Sequence, residues 1–206
     1  EYIKETYIAH KRIVFNGNGY TDEWVEEAKR RGLYNLKSTP EVLPCFKAEK
    51  NVKLFTEMGV YTKEEMEAHY DIKLEKYCQL LNIEVNTMLE MIYKDILPAV
   101  YKYTADVSKT VIDLKAVVPG AKAVAQVSVL EKLDGLLSCI TEKTDALVKA
   151  HADAKAAGDS LKEAKAYANL VVPAMAEVRA VYDEIEPLLG EEYKPFPCYE
   201  DLLFRV

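Results

Sequence analysis

Apolar residues recur every three or four positions through the second half of the chain, and this spacing predicts long helices. From Thr62 to Pro98 no glycine or proline interrupts the pattern, and Thr62 with Glu65 forms a capping-box signal at its start. The first apolar face comprises Met66, Tyr70, Leu74, Tyr77, Leu81, Val85, Met88, Ile92, Ile96 and Ala99. We therefore predict one long helix that kinks at Pro98 and resumes to about Leu114.

Two further apolar faces follow this helix. Pro119 and Gly120 mark the first break, Gly158 begins the second, and Pro173 lies within the third helix, where a kink is expected. The two faces contain Val127, Leu130, Leu133, Leu137, Ile140, Thr144, Leu147, His151 and Ala154, and then Leu161, Ala164, Ala168, Val171, Met175, Val178, Tyr182, Ile185 and Leu189. Short connections make neighbouring helices antiparallel. Residues 62–190 are thus predicted to form an antiparallel bundle of three long helices.

The segment before the bundle, residues 1–61, carries shorter signals. Short helices are predicted at residues 1–10, from Thr21 to Gly32, from Thr39 onward, and at residues 51–58. Residues 12–15 are predicted to form a brief strand or extended segment before a turn. The fold class is therefore mainly α, with short helices and one strand and turn segment preceding the bundle. A Pro-rich tail, residues 191–206, follows Gly190.

Two consecutive Asn-Gly pairs form the strongest turn signal in the chain. Asn16, Gly17, Asn18 and Gly19 follow an apolar run, and glycine reaches positive φ without steric cost. Backbone N–H groups of such a loop can bind a phosphate. The surrounding residues match neither a P-loop nor a dinucleotide-binding pattern, so a tight structural turn is the favoured interpretation.

Composition and charge restrict the classes of partner. The chain has 206 residues, 50% hydrophobic and 30% charged, with a net charge of −7 and no basic run of the kind that follows a phosphate backbone. This balance argues against nucleic acid and anionic membranes as partners, and no apolar run approaches the ~20 residues of a membrane span. Cys45, Cys78, Cys139 and Cys198 are widely separated. We expect free thiols and a cytoplasmic location.

Candidate chemistry is sparse. A di-iron bundle needs a Glu three residues before a ligating His, and His10, His69 and His151 all lack one. His151 occupies an apolar seam with Asp153 nearby, which favours a hydrogen-bonded core histidine. No cysteine belongs to a recognisable nucleophile pattern. The sequence therefore predicts no catalytic, cofactor-binding or metal-ligating residue.

Several stretches resemble one enzyme family. FNGNGYTDEW from Phe15, EAKRRGLYNL from Glu27, and the tail PFPCYEDLLF from Pro195 are similar to the C-terminal region of type III glutamine synthetases, the long-chain branch of that family. FTEMGVYTKEEMEAHY from Phe55 is also similar to shorter glutamine synthetases. The tail departs from the family at Tyr193 and Lys194, where a Trp-Pro pair is expected.

The resemblance implies that this chain is the C-terminal part of a larger ATP-dependent glutamate–ammonia ligase. The ATP- and Mg/Mn-binding residues of such an enzyme would lie upstream, so the fragment alone is expected to be inactive. The expected partners are the catalytic domain of the same chain and neighbouring subunits in stacked hexameric rings. Leu202, Leu203 and Phe204 are the candidate interface residues, since large apolar side chains left exposed mark a contact surface.

One alternative belongs to a different class of protein. A free-standing helical adaptor without enzymatic activity would fit the composition and the three- and four-residue spacing of the apolar positions equally well. It would not explain the double Asn-Gly turn or the PFP tail.

Overall fold

The computed structural model describes residues 1–197 and 199–204, and its regular structure there is entirely helical, with no β-strand. The mainly α prediction is confirmed. The strand predicted at residues 12–15 is wrong, because Lys11–Ile13 form a 3-10 turn, although Val14 has the extended backbone conformation of the alternative. A strand needs a neighbouring strand for its backbone groups. Here no strand in the described part of the chain pairs with these residues, and the Arg31 guanidinium instead donates hydrogen bonds to the carbonyls of Arg12 and Val14.

Ten α-helices follow one another along the described residues. They are α1 (Tyr2–His10), α2 (Asp22–Arg30), α3 (Thr39–Phe46), α4 (Glu49–Glu57), α5 (Lys63–Met91), α6 (Leu97–Val117), α7 (Val124–Lys155), α8 (Ser160–Ala166), α9 (Val172–Ile185) and α10 (Tyr199–Phe204). Five-residue π-helical segments join α5 to α6 (Ile92–Ile96) and α8 to α9 (Tyr167–Val171).

These π segments accommodate the two helix prolines. Proline lacks an N–H and its ring clashes with the carbonyl four residues earlier. Just before Pro98, the N–H of Leu97 donates to the carbonyl of Ile92, five residues back. Val172 makes the same bond to Tyr167 just before Pro173. The helices therefore continue through both prolines, and α5 to α6 forms a rod roughly 80 Å long.

Three long helical rods pack as a bundle, as the three apolar faces predict. α7 lies against both α6 and α9, and α8 lies against α5. Most predicted seam positions are buried, and Leu133, Ile140, Leu147 and Ile185 are fully buried. Tyr167 is also fully buried although the pattern predicted Ala168. Residues 164, 167 and 171 are three and four positions apart, so Tyr167 lies on the same helix face as Ala164 and Val171.

Residues 39–61 pack on the start of this bundle. α3 contacts α5 and α8 and buries Leu43. Its N-cap is Ser38, one residue before the predicted Thr39. The capping box of α5 forms as predicted, with the N–H of Glu65 donating to Thr62 Oγ1 at 3.1 Å and the N–H of Thr62 donating to Glu65 Oε2 at 2.7 Å.

Candidate docking surface

The double Asn-Gly segment turns by side-chain hydrogen bonding. Asn18 Oδ1 accepts from the N–H of Tyr20 at 3.0 Å, and the carbonyl of Asn18 accepts from Thr21 Oγ1 at 2.9 Å. Gly17 and Gly19 have no positive φ. Gly17 lies against Phe15, and a Cβ there would come 2.4 Å from the end of the Phe15 ring, so a larger residue would require that ring to move. The segment is thus an Asx turn closed against an aromatic side chain.

Arg31 and Trp24 attach this turn to α2. The Phe15 ring lies 4.5 Å from the Trp24 ring, and the Arg31 guanidinium lies 5.8 Å from the Trp24 ring centre. The Glu27 carboxylate accepts hydrogen bonds from Arg30 and Arg31, which lowers its pKa. These contacts fix residues 11–31 as a small local unit.

A groove of about 630 Å³ runs beside this unit, between Phe15 and α2. It is lined by Phe15, Glu23, Glu26, Glu27, Lys29 and Arg30. Three carboxylates face two cations in it, and Glu27 already binds Arg30. An incoming phosphate would meet repulsion there. The groove therefore favours the structural interpretation of the turn over phosphate binding.

Many large apolar side chains on residues 1–39 are exposed, and Ala28 is the only fully buried residue in that range. Tyr2, Ile3 and Tyr20 are 81%, 84% and 101% exposed. Ile8, Ile13 and Tyr34 are also largely exposed. An apolar surface of this extent is typical of an interface. We call residues 1–39 the N-terminal surface.

The tail is divided between an anchored part and an uncovered end. Tyr193 donates a hydrogen bond to Asp106 Oδ2 on α6 at 2.8 Å, and this bond raises the pKa of Tyr193 to about 12. Phe196 packs edge-on against Tyr182 of α9. Beyond this anchor, Leu202 to Phe204 lie on α10 with 63%, 72% and 76% of their surfaces exposed. The end of the tail forms a second uncovered apolar patch.

Catalytic groups do not converge within the described residues. Cys45, Cys78 and Cys139 are free thiols, while Cys198 lies outside the described residues. Burial raises the pKa of Cys78 to about 11, which disfavours a reactive thiolate. No group of three or more His, Cys, Asp or Glu side chains within the described ranges could hold a metal ion.

His151 has the structural role predicted from its seam position, with a different partner. Its side chain is buried, and its Nε2 lies 3.0 Å from Asn82 Oδ1 on α5 rather than bonding Asp153. The amide oxygen can only accept, so Nε2 carries the proton. Burial and then the nearby Lys155 lower the pKa of His151. The ring therefore favours its neutral form.

Sequence patterns did not reveal the contacts that fix these surfaces. Arg31 binds carbonyls 17 and 19 residues earlier, and Tyr193 binds Asp106 across 87 residues. Neither side chain lies on a predicted apolar face, and the EAKRRGLYNL stretch that contains Arg31 does not indicate its partners. The Pro-rich composition after Tyr193 was the available signal that the tail packs outside the helical seams.

The described residues form a helical domain with two uncovered apolar patches, one on the N-terminal surface and one on α10. A family model for the glutamine synthetase C-terminal domain matches residues 1–115. The chain belongs to this family. No helix of the described part is long and apolar enough to cross a membrane.

Curated relatives extend the match to the whole bundle. A glutamine synthetase of Butyrivibrio fibrisolvens is 42% identical over 209 residues, covering 100% of this chain and 29% of the relative. A type-3 glutamine synthetase of Dictyostelium discoideum is 32% identical, covering 98% of this chain and 28% of the relative. A glutamine synthetase of Bacteroides fragilis (strain YCH46) is 25% identical over the same shares. The chain thus spans less than a third of each relative.

Proposed function

We propose that this chain is the C-terminal region of a type III glutamine synthetase and that it serves structure and assembly. The type-3 relative aligns with 98% of the chain, which supports the assignment to that branch. The family model ends at residue 115, before α7 to α9. Those helices would be the elaboration that distinguishes the long subunits from shorter ones.

The parent enzyme would make glutamine from glutamate and ammonia with ATP and Mg or Mn. This proposal assigns no catalytic role to any residue of the chain, and the fragment alone would be inactive. The described residues contain no group of three or more His, Cys, Asp or Glu side chains that could hold a metal ion. The residues described here do not fit a divalent cation, and no reaction step is assigned to them.

The single observation that carries the assembly role is the uncovered apolar surface at both ends of the chain. On the N-terminal surface only Ala28 is buried, although the 206-residue chain buries a well-packed core in its bundle. The partners would be the catalytic domain of the same polypeptide and neighbouring subunits in stacked hexameric rings. Residues 1–61 would follow the catalytic core, residues 62–190 would form the bundle, and residues 191–206 would carry the tail contact.

The direct test is to capture the native polypeptide from its cells with an antibody raised against this chain. ATP-dependent glutamine formation by a subunit several times longer than this chain, recovered from the cytoplasmic fraction, would support the proposal. An inactive polypeptide no longer than this chain would instead support the helical adaptor.

Calorimetry of the isolated chain with Mg-ATP gives an independent test. We expect no heat of binding, because the proposal places the ATP- and metal-binding residues upstream of this chain. Micromolar affinity would contradict the assignment of the chain to a non-catalytic region.

A further inference from the structure

The double Asn-Gly segment carries two side-chain amides that can react with the main chain. Asn16 and Asn18 are each followed by a glycine, and all four residues are exposed. Glycine has no Cβ to shield its backbone nitrogen. The nitrogen of Gly17 can therefore reach Cγ of Asn16, and the nitrogen of Gly19 can reach Cγ of Asn18. Neither amide has a part in the assembly role proposed above.

Hydrogen bonds restrain one of these asparagines and leave the other free. Asn18 Oδ1 accepts from the N–H of Tyr20 at 3.0 Å. The carbonyl of Asn18 accepts from the Thr21 hydroxyl at 2.9 Å and from the Thr21 N–H at 3.3 Å. Within the described part of the chain, neither the Asn16 side chain nor the Gly17 N–H forms a hydrogen bond. Asn16 can therefore turn its Cγ toward the next nitrogen without losing a hydrogen bond, whereas Asn18 must first break its bond to Tyr20.

We infer that Asn16 is a site of spontaneous deamidation in this protein and that the turn protects Asn18. The nitrogen of Gly17 attacks Cγ of Asn16, the bond from Cγ to Nδ2 breaks, and Nδ2 leaves as ammonia with the proton from the Gly17 nitrogen. Water then opens the resulting succinimide ring. Cleavage of the ring bond to Cγ gives aspartate, and cleavage of the ring bond to the backbone carbonyl carbon gives isoaspartate. The net reaction consumes one water and releases one ammonia.

The hydrogen bond from Tyr20 sets the expected selectivity between the two asparagines. A hydrogen bond of ordinary net strength corresponds to a factor of about 3 to 10 in an equilibrium. The reactive arrangement of Asn18 is disfavoured by this factor, and that of Asn16 is not. Asn16 should therefore react at least about threefold faster than Asn18.

Isoaspartate at position 16 would also change the local packing, because it adds one methylene to the main chain. Gly17 lies against Phe15, where a Cβ would come 2.4 Å from the ring. The Phe15 ring in turn lies 4.5 Å from the Trp24 ring on α2. A longer main chain must displace Gly17 or the Phe15 ring, so it should loosen the contact between the turn and α2. Aspartate adds only a charge and should leave this contact in place.

The test is peptide mapping of the full-length enzyme, aged at neutral and at mildly alkaline pH. Docking of the N-terminal surface must then leave Asn16 able to react. One tryptic peptide, residues 13–29, contains both asparagines, and electron-transfer fragmentation separates the two positions and distinguishes aspartate from isoaspartate. Digestion in heavy-oxygen water marks any conversion that occurs during handling. The internal reference is Asn35, which is exposed on the same surface but precedes a leucine.

We expect conversion at Asn16 that becomes faster as pH rises, because the attacking nitrogen must lose its proton. Conversion at Asn18 should be at least about threefold slower, and Asn35 should stay intact over the same period. Thr21→Val removes the hydroxyl bond that helps to close the turn, so it should speed conversion at Asn18 and leave Asn16 unchanged.

Hydrogen–deuterium exchange of residues 20–31 tests the packing consequence. Exchange should become faster as the aged enzyme accumulates isoaspartate. Asn16→Asp, which carries the charge without the longer main chain, should keep the original exchange. Asn16→Gln should keep it even after ageing, because a glutamine would have to close a larger ring.

Four results would overturn the inference. They are an intact Asn16 after ageing at alkaline pH, conversion at Asn18 as fast as at Asn16, conversion at Asn35 as fast as at Asn16, and no effect of Thr21→Val on Asn18. Unchanged exchange in isoaspartate-containing enzyme would overturn the packing consequence. None of these results depends on glutamine synthesis, so the inference can fail while the proposed function stands.

Discussion

Replacing Leu203 with aspartate should separate the stability of the chain from its assembly. Leu203 is 72% exposed on α10, so in the isolated chain Leu203→Asp should change the free energy of unfolding by less than ~0.5 kcal/mol. A docked Leu203 would bury the exposed 72% of a side chain worth about 1.5–3 kcal/mol on full burial. The loss is therefore at least ~1–2 kcal/mol for each contact.

Aspartate adds a second cost at a docked position, since an unpaired buried carboxylate is strongly disfavoured. The affinity of each contact should fall at least ~10-fold. Sedimentation velocity of the full-length enzyme over a concentration series would measure this as a shift toward smaller species. Thermal unfolding of the isolated chain, followed by circular dichroism, should be unchanged.

The matched control is Val117→Asp. Val117 is 82% exposed at the end of α6, and it lies outside the two uncovered apolar patches. It should leave the sedimentation profile unaltered. If Leu203→Asp leaves assembly intact across the concentration series, or if Val117→Asp disrupts it equally, the tail is not an interface.

Three further predictions concern the bundle. Leu147→Ala, at a fully buried seam position, should lower the free energy of unfolding in urea by about 2–5 kcal/mol; a loss below ~1 kcal/mol would contradict the packing described. Thr62→Ala removes the N-cap bond of α5 and should cost about 1 kcal/mol by the same assay, whereas Thr110→Ala on the exposed face of α6 should cost less. The pKa of His151 is lowered in the fold, so the unfolded chain binds the proton first and stability falls as pH drops through the ordinary histidine range. His151→Gln should flatten this dependence between about pH 7.5 and 5.5, and an unchanged slope would show that other groups cause it.

Long-range patterning made the bundle predictable. Apolar seams with few interruptions fix which side of each helix is buried, because a 3.6-residue period places every third or fourth side chain on one face. Leu133, Ile140 and Leu147 were predicted in this way and are fully buried. The capping box formed by Thr62 and Glu65 could also be predicted from the sequence, since its hydrogen bonds span only three residues.

Local signals were less reliable where distant groups compete. Residues 12–15 have strand-like composition, yet Arg31 binds their carbonyls and no partner strand is present among the described residues. Glycines in the Asn-Gly turn avoid positive φ, because Asn18 closes the turn with its own side chain. In both cases side-chain hydrogen bonds replaced the backbone arrangement that composition favoured.

The sequence by itself determined the helical class, the three-rod bundle and the family resemblance, because periodic burial and short motifs depend on neighbouring residues. Tertiary structure alone decided that Tyr167 rather than the predicted Ala168 is fully buried, since both lie at helical spacing from Ala164 and only packing selects between them. It also brought Asn82, His151 and Tyr167 together from three helices. These side chains come into contact only when segments distant in sequence pack together, so the spacing of residues within one helix does not predict the contact.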